Sequence, residues 1–167
     1  MNDHLLILEA SYPIRWLQID EDLMHFPEES FLPALMALEQ GEKEQEHSPL
    51  GRELSRIEAK VNLALLLLGD LRREKVLPPY KPALLSAKEL VWQEETPPVA
   101  GEKVTIEIYL NPHYPYPLRL SLQVIRIGEH HWVSGQWVDL DPLLQEQFTQ
   151  YIFRAHRRAL ARRKIPG

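Results

Sequence analysis

The sequence contains no cysteine. It therefore has no disulfide framework, no thiolate nucleophile and no zinc site built on cysteine, which fits a reducing cytoplasm. Long hydrophobic runs are also missing: the longest, residues 63–68, is far below the ~18 residues that span a bilayer. The first residues, MNDHLLILEASYP, lack the basic start and the long apolar stretch of a secretory signal. We expect a cytoplasmic protein with no membrane span and no signal peptide.

The familiar sequence signatures of catalysis are absent as well. The chain has no glycine-rich phosphate loop, no G-x-S-x-G elbow and no H-E-x-x-H zinc motif. His130 and His131 are neighbours in a predicted strand, where their side chains would point to opposite faces and could not chelate one metal. Asp139 and Asp141 precede a predicted helix, which is typical of a helix cap and a solvated turn. We expect a protein that is not an enzyme and needs no metal or cofactor.

Charge of the two signs is unevenly distributed. Residues 1–46 contain eleven acidic residues against only Arg15 and Lys43, whereas six lysines and arginines crowd into residues 154–164. The acidic N-terminus and the basic C-terminus could attract each other between subunits, or the basic tail could contact an anionic ligand. The alternative is a solvated helix end that the helix dipole favours. Nucleic acid is not an expected partner, because no recognition-helix motif is present and the rest of the chain is acidic.

A heptad pattern occupies residues 48–75. Ser48 is a good N-cap followed by Pro49, and basic residues precede Pro78, so the segment has a helix start and a helix end. Apolar residues recur at alternating steps of four and three, which is the seam of a coiled coil; they are Leu50, Leu54, Ile57, Val61, Ala64, Leu68 and Leu71. Leucines at 65–67 widen this face beyond a two-helix seam. The pattern predicts a helix that assembles subunits, with an ordinary amphipathic core helix as the alternative.

The other elements predict an α+β fold. The PIRWLQI stretch around Trp16 could form a short strand. A helix is predicted over residues 31 to about 40, with Ser30 as its cap. After the heptad helix, VLPPYKP is a predicted extended hinge. Alternating apolar residues then predict antiparallel strands with no helix between them, which cover residues 84–92, 104–110, 118–124 and 131–138. A helix from Asp141 to about Lys164 follows. This succession favours an antiparallel sheet or a small barrel.

Five segments in a fixed order carry a resemblance to a known family. They are LLSAKELVW, KVTIEIYL, LRLSLQVIRI, WVSGQWVDLD and the helix QEQFTQYIFRAHRRA, preceded by the heptad helix. This order resembles a PilZ domain, and most of all the atypical PilZ group that forms tetramers. The resemblance implies a six-stranded antiparallel β-barrel with a long N-terminal heptad helix and a C-terminal helix. The likeness to the atypical group also implies a homotetramer. Because typical members of the family are receptors for the second messenger cyclic di-GMP, the resemblance implies a role in signalling or motility.

The chain is therefore divided into three parts. Residues 1–47 are expected to be an acidic extension with a short helix, residues 48–76 an oligomerisation helix, and residues 80–164 the PilZ-like barrel with its C-terminal helix.

The residues that bind the nucleotide in typical receptors are mostly missing. Arg52 and Arg56 have the Arg-x-x-x-Arg spacing but lie within the heptad helix, while Arg72 and Arg73 are closer to the expected place without partners four residues on. In the Asp/Asn-x-Ser-x-x-Gly turn, LLSAKE keeps Ser86 but has leucine and glutamate at its first and last positions. We therefore expect the usual site to be absent. The remaining candidate anion contacts are Arg72, Arg73, Ser86 and Arg162.

The sequence thus predicts a non-catalytic regulatory protein of cyclic di-GMP signalling that assembles through its heptad helix. Its expected partners are copies of itself, as a homotetramer, and other signalling proteins. Two alternatives remain open: a true cyclic di-GMP receptor with a non-consensus site, and a structural adaptor without any link to second messengers.

Overall fold

The structure, a computed structural model, describes residues 6–19, 28–40, 49–114 and 116–163. Its elements in chain order are β1 (Leu8–Gln18), α1 (Glu28–Gln40), α2 (Pro49–Val76), β2 (Tyr80–Leu85), β3 (Glu89–Gln93), β4 (Lys103–Ile108), β5 (Leu118–Ile127), β6 (Trp132–Trp137) and α3 (Pro142–Arg163). The strands form a closed antiparallel barrel in the order β1-β2-β3-β6-β5-β4. The predicted fold class is therefore confirmed. None of the described helices is long and apolar enough to cross a membrane.

The interior of the barrel is filled by the inward-facing residues of every strand. Opposed pairs such as Ile106 with Leu120 and Leu85 with Leu90 share one face and are fully or almost fully buried. Gly135 on β6 leaves room for this packing, because a Cβ at that position would meet the side chain of Leu122 and lie 2.8 Å from the Gln123 carbonyl oxygen. Alternating apolar residues and one obligatory glycine thus close a packed core.

The N-terminal strand β1 belongs to the barrel. Residues 8–13 pair with β2 and residues 14–18 pair with β4, so β1 closes the ring. The short strand expected around Trp16 is present and longer than predicted, but the placement of all residues 1–47 outside the barrel was wrong. The pattern was hidden because one long strand serves two neighbours and buries the adjacent residues Pro13 and Ile14, which breaks the alternation.

Two strand predictions also need correction. The single strand predicted over residues 84–92 is two strands, β2 and β3, separated by a turn at residues 86–88, and β2 extends back over Tyr80 and Pro82 of the predicted hinge. His130 and His131 lie in a short 3-10 turn with φ of 54° and 63°, not in a strand. The argument against a shared metal from opposite strand faces was therefore wrong in its premise.

Helices α1 and α3 pack on each other and on the barrel. Helix α3 follows the predicted range, and its buried face consists of Leu144, Phe148, Tyr151 and Ile152. The rings of Phe148 and Trp137 pack edge to face, with 5.9 Å between their centroids. Helix α1 buries Leu32 and Leu35 and contacts α3. It begins at Glu28, so Ser30 lies inside the helix and is not its cap.

Candidate functional site

Helix α2 presents its heptad face to solvent in the single chain. Six seam residues are between 51% and 71% exposed: Leu50, Leu54, Ile57, Val61, Leu68 and Leu71. Ala64 is exposed as well. From the first to the last of them the helix rises ~32 Å. An apolar stripe of this length exceeds the scattered apolar residues of an ordinary protein surface, so it is a candidate assembly surface.

The turn between β2 and β3 occupies the position of the typical nucleotide-binding motif. Ser86 is only 1% exposed. Its hydroxyl oxygen accepts hydrogen bonds from the backbone N–H groups of Lys88, at 3.2 Å, and Glu89, at 3.0 Å. The Ser86 carbonyl oxygen accepts a further bond from the Trp137 indole N–H at 3.0 Å. Ser86 therefore holds the turn closed, as Ser side chains do in local turns.

The four predicted ligand contacts do not form one cluster in the described structure. Arg72 and Arg73 lie in α2, but their side chains are outside the described residues. Ser86 is in the β2–β3 turn, whereas Arg162 lines a separate groove between α3 and β1. The described structure does not bring these residues together, so their joint role as a nucleotide site stays a prediction.

The groove that contains Arg162 has a volume of about 980 Å³. Its walls are the C-terminal half of α3, the first half of β1, the end of α1 and the loop at residues 110–114. Small side chains face one another there: Ala10 lies on β1, and Ala155 and Ala159 lie on α3. The large α3 residues Phe148 and Ile152 are buried in the core and do not line the groove.

Glu39 joins three walls of this groove. Its carboxylate accepts a hydrogen bond from Arg158 of α3, at 2.5 Å, and one from the side-chain amide of Asn111, at 3.1 Å. Glu39 is the acidic member and Arg158 the basic member of the two oppositely charged ends of the chain. One contact between these ends is therefore made within a single subunit, and the expected attraction between subunits stays a prediction.

Two tyrosines beside Glu39 are held in their neutral form. Burial, with a smaller contribution from the Glu39 charge, raises the pKa of Tyr12 to about 12. Burial likewise raises the pKa of Tyr151, and the charges of Glu39 and Tyr12 add to this while Arg158 opposes it. Both phenols are protonated at neutral pH and can act as hydrogen-bond donors in the groove.

A second charged cluster lies across β1, β4 and β5. Glu107 is fully buried and accepts hydrogen bonds from Arg15 and from Arg119, the latter at 2.7 Å. These residues are opposite one another in the strand register. Burial alone would raise the pKa of Glu107, but the two guanidinium groups outweigh it and hold the pKa below its usual range. This ladder ties β4 to β1 and to β5, and its three residues do not line the groove.

The other chemical candidates are accounted for by structure. Among the residues that the structure describes, no group of three potential ligands could hold a metal ion. Asp141 accepts a hydrogen bond from the Leu143 backbone N–H at 2.8 Å, as an N-cap does. Asp139 forms an ion pair with Lys103. These contacts agree with the interpretation of both aspartates as elements of a cap and a turn.

Sequence reasoning found Arg158 and Arg162 as members of the basic tail but missed the groove itself. Glu39 and Arg158 are 119 residues apart, and β1 was not assigned to the barrel. The only sequence signal for the hollow is the change from large residues to alanine along the inner face of α3, and its partner Ala10 carries no distinguishing pattern.

A six-stranded antiparallel barrel with a C-terminal helix packed on it is the architecture of a PilZ-type domain, and here a long exposed helix is inserted between the first two strands of the barrel. The family described as "Atypical PilZ domain, cyclic di-GMP receptor" matches residues 32–164. The chain therefore belongs to the atypical PilZ domain family, as its sequence resemblance indicated.

Two solved structures are similar to this chain to different degrees. A pathogenic protein from Xanthomonas campestris, a tetrameric PilZ domain self-assembled via an unusual helical bundle, is similar with a TM-score of 0.80 and 23% identity, covering 95% of this chain and 92% of that chain. The Bacillus subtilis inhibitor of motility MotI/DgrA matches with a TM-score of 0.39 and 15% identity over 48% of this chain and 43% of that chain. No curated protein sequence matches the chain.

Proposed function

We propose that this protein is a non-catalytic regulator of cyclic di-GMP signalling that assembles into a homotetramer through α2. The observation that carries this proposal is the exposed heptad face of α2, with Leu50 and Leu71 at its ends 70% and 71% exposed. A surface of this kind is stable in water when copies of the helix cover it. In this proposal, residues 48–76 form the assembly segment and the barrels present their surfaces to other signalling proteins in the cytoplasm.

The residue types along the seam give no uniform preference for a number of helices. The position before each three-residue step holds Leu54, Val61 and Leu68, and the other core position holds Leu50, Ile57, Ala64 and Leu71. Leucine followed by isoleucine, as at Leu54 and Ile57, shifts a coiled coil toward three or four strands, whereas a β-branched residue at the first position, as at Val61, favours two. Leu65, beside the seam, is also exposed at 37%. The tetrameric state of the similar Xanthomonas protein supports the same number of subunits here.

The β2–β3 turn is not used as a nucleotide site in this proposal. Ser86 already accepts hydrogen bonds from the turn, and Leu84 and Glu89 stand where an amide or carboxylate and a glycine would be needed. Leucine offers no hydrogen bond, and a glutamate repels phosphate. The family description as cyclic di-GMP receptor therefore leaves the location of any nucleotide site in this chain to be found by experiment.

The experiment is light scattering after size-exclusion chromatography, at several protein concentrations. The wild-type chain of 19.5 kDa is expected to have a mass of ~78 kDa, the mass of four copies. The double variant Leu54→Glu, Leu68→Glu places charges in the seam and should give monomers, while the barrel retains its circular dichroism because its core does not include these residues.

The matched control is Arg52→Glu with Arg56→Glu. Both arginines are exposed on α2 outside the seam, and Arg56 forms an exposed ion pair with Glu53 at 3.2 Å, of a kind that contributes little to stability. This control also introduces two glutamates, so it should keep the wild-type mass. An unchanged mass of the seam variant, or a monomeric wild-type protein, would contradict the assembly role and leave a structural adaptor as the alternative.

A further inference from the structure

The second half of α3 has an exposed face that combines large apolar and basic side chains. Five exposed residues lie within one ~120° sector of the helix, on the side away from its buried residues; they are Phe153, Arg154, Arg157, Leu160 and Ala161. We call this surface the outer α3 face. Phe153 is 49% exposed and Leu160 is 44% exposed. Aromatic residues and arginines are enriched at protein interfaces and dominate their binding energy.

The charge of this part of the helix is entirely positive. From Gln147 to the last helical residue, Arg163, α3 contains five arginines and no aspartate or glutamate. Arg158 pairs with Glu39 on the inner side of the helix. Among the residues that the structure describes, no acidic side chain pairs with Arg154 or Arg157. The positive charge of the outer α3 face is therefore uncompensated within the described chain and is complementary to an acidic partner.

Arg157 and Phe153 form a single composite contact. The guanidinium carbon of Arg157 lies over the Phe153 ring, 5.7 Å from its centroid. This cation–π contact holds the charge beside the exposed apolar surface. The N–H groups at the edge of a guanidinium held in this way can still donate to a carboxylate. An apolar side chain and a neighbouring carboxylate of one partner segment can thus bind here together.

The outer α3 face is separate from the cavities and from the proposed assembly helix. Phe153, Arg154 and Arg157 line neither the groove at Arg162 nor the small cavity beside the β2–β3 turn. Strands β2 and β6 run in the same direction, because each is antiparallel to β3. Since α2 precedes the start of β2 and α3 follows the end of β6, the two helices connect to opposite ends of the barrel.

We propose that the outer α3 face docks an acidic, partly apolar segment of a partner protein. Apolar side chains of that segment pack on Phe153 and Leu160, and its carboxylates accept hydrogen bonds from Arg154 and Arg157. Two large apolar side chains provide little surface for a bilayer, where binding of a helix scales with the apolar area that it buries, so the observations favour a protein over a membrane. The inference rests on the proposed function only in taking the partner to be a signalling protein.

The test is fluorescence anisotropy of two labelled, helix-forming probe peptides titrated with the full chain. Both peptides have leucine at positions i, i+3 and i+7; one has glutamate and the other lysine at the remaining positions. Phe153→Ala removes the apolar contact and Arg157→Glu reverses the charge. The matched controls are Ile125→Ala and Arg126→Glu, which alter exposed residues of the same kinds on β5. All four residues are exposed, so circular dichroism should match that of the wild type.

The glutamate peptide should bind, and raising the salt concentration should weaken its binding. Phe153→Ala and Arg157→Glu should each weaken it by at least ~10-fold, whereas both controls should stay within ~2-fold of wild type. The lysine peptide should not bind. Light scattering of the same variants should give the wild-type mass, so the docking face and the assembly through α2 can fail independently.

Several results would overturn the proposal. They are no binding of the glutamate peptide at ~1 mM protein, equal binding of the lysine peptide, and controls that weaken binding as much as the α3 variants do. Sedimentation with vesicles of phosphatidylserine and phosphatidylcholine separates the membrane alternative. Vesicle binding that Phe153→Ala abolishes, without binding of the glutamate peptide, would assign the face to a membrane and refute a protein partner.

Discussion

Replacing Glu107 with glutamine should destabilise the protein by about 2 kcal/mol at pH 7. The glutamine keeps the shape of the side chain but brings one acceptor oxygen and an NH2 group to two arginines that both donated to a carboxylate. Breaking a completely buried ion pair costs ~3–5 kcal/mol. The smaller figure applies here because Arg15 is 46% exposed and Arg119 is 22% exposed, so water replaces part of the lost interaction.

The measurement is urea unfolding at one fixed protein concentration, with thermal unfolding as a second readout. For a chain of this size, 2 kcal/mol corresponds to a fall of ~4–8 °C in Tm. Glu95→Gln is the matched control, since Glu95 is exposed, and it should change stability by less than ~0.5 kcal/mol.

The effect should depend on pH in a defined direction. The native pKa of Glu107 is below its usual value, so its contribution to stability is complete above the unfolded pKa and is lost as the pH falls through the native value. The difference between wild type and Glu107→Gln should therefore shrink below about pH 4. A difference under ~0.5 kcal/mol at pH 7, or one that grows on acidification, would refute the role assigned to this ladder.

Two further predictions concern the barrel and the groove. Gly135→Ala should destabilise the fold by about 2 kcal/mol in urea unfolding because a Cβ there collides with Leu122 and the Gln123 backbone, whereas Gly128→Ala, with its nearest atom at 3.5 Å, should be tolerated; equal effects would contradict this packing. Tyr12 has a native pKa of about 12 against 10.0 unfolded, so its stabilisation is complete below pH 10 and declines as the pH rises toward 12. Tyr12→Phe should flatten that alkaline loss, and an unchanged slope would argue against it.

The strands and helix that the sequence predicted well are those with a single, regular environment. The positions of β4 and β5 followed from alternation, because each has one face in the core along most of its length. Helix α3 followed from a cap at Asp141 and a continuous apolar stripe. In these elements the local pattern and the tertiary environment agree, so a periodicity argument is sufficient.

The errors occurred where tertiary contacts replace the local signal. The β2–β3 turn contains neither glycine nor proline, because the Ser86 side chain supplies its hydrogen bonds, and so two strands were interpreted as one. Strand β1 changes partner at Pro13 and Ile14, which disrupts its alternation. The groove depends on Glu39 and Arg158, which no short-range pattern connects. Sequence alone identified the basic residues of α3, but not the groove that Arg158 and Arg162 line.

Helices α1 and α2 lie between β1 and β2 in the chain, yet these two strands are hydrogen-bonded neighbours in the barrel. The two helices are therefore an insertion between two strands that pair directly with each other. A shortened protein that started at residue 77 would lose β1 along with the helices, and would expose the edges of β2 and β4 to uncontrolled strand pairing. Trimming from the N-terminus therefore removes a barrel strand as well as α2, so the proposed assembly through α2 is better tested by substitutions in that helix.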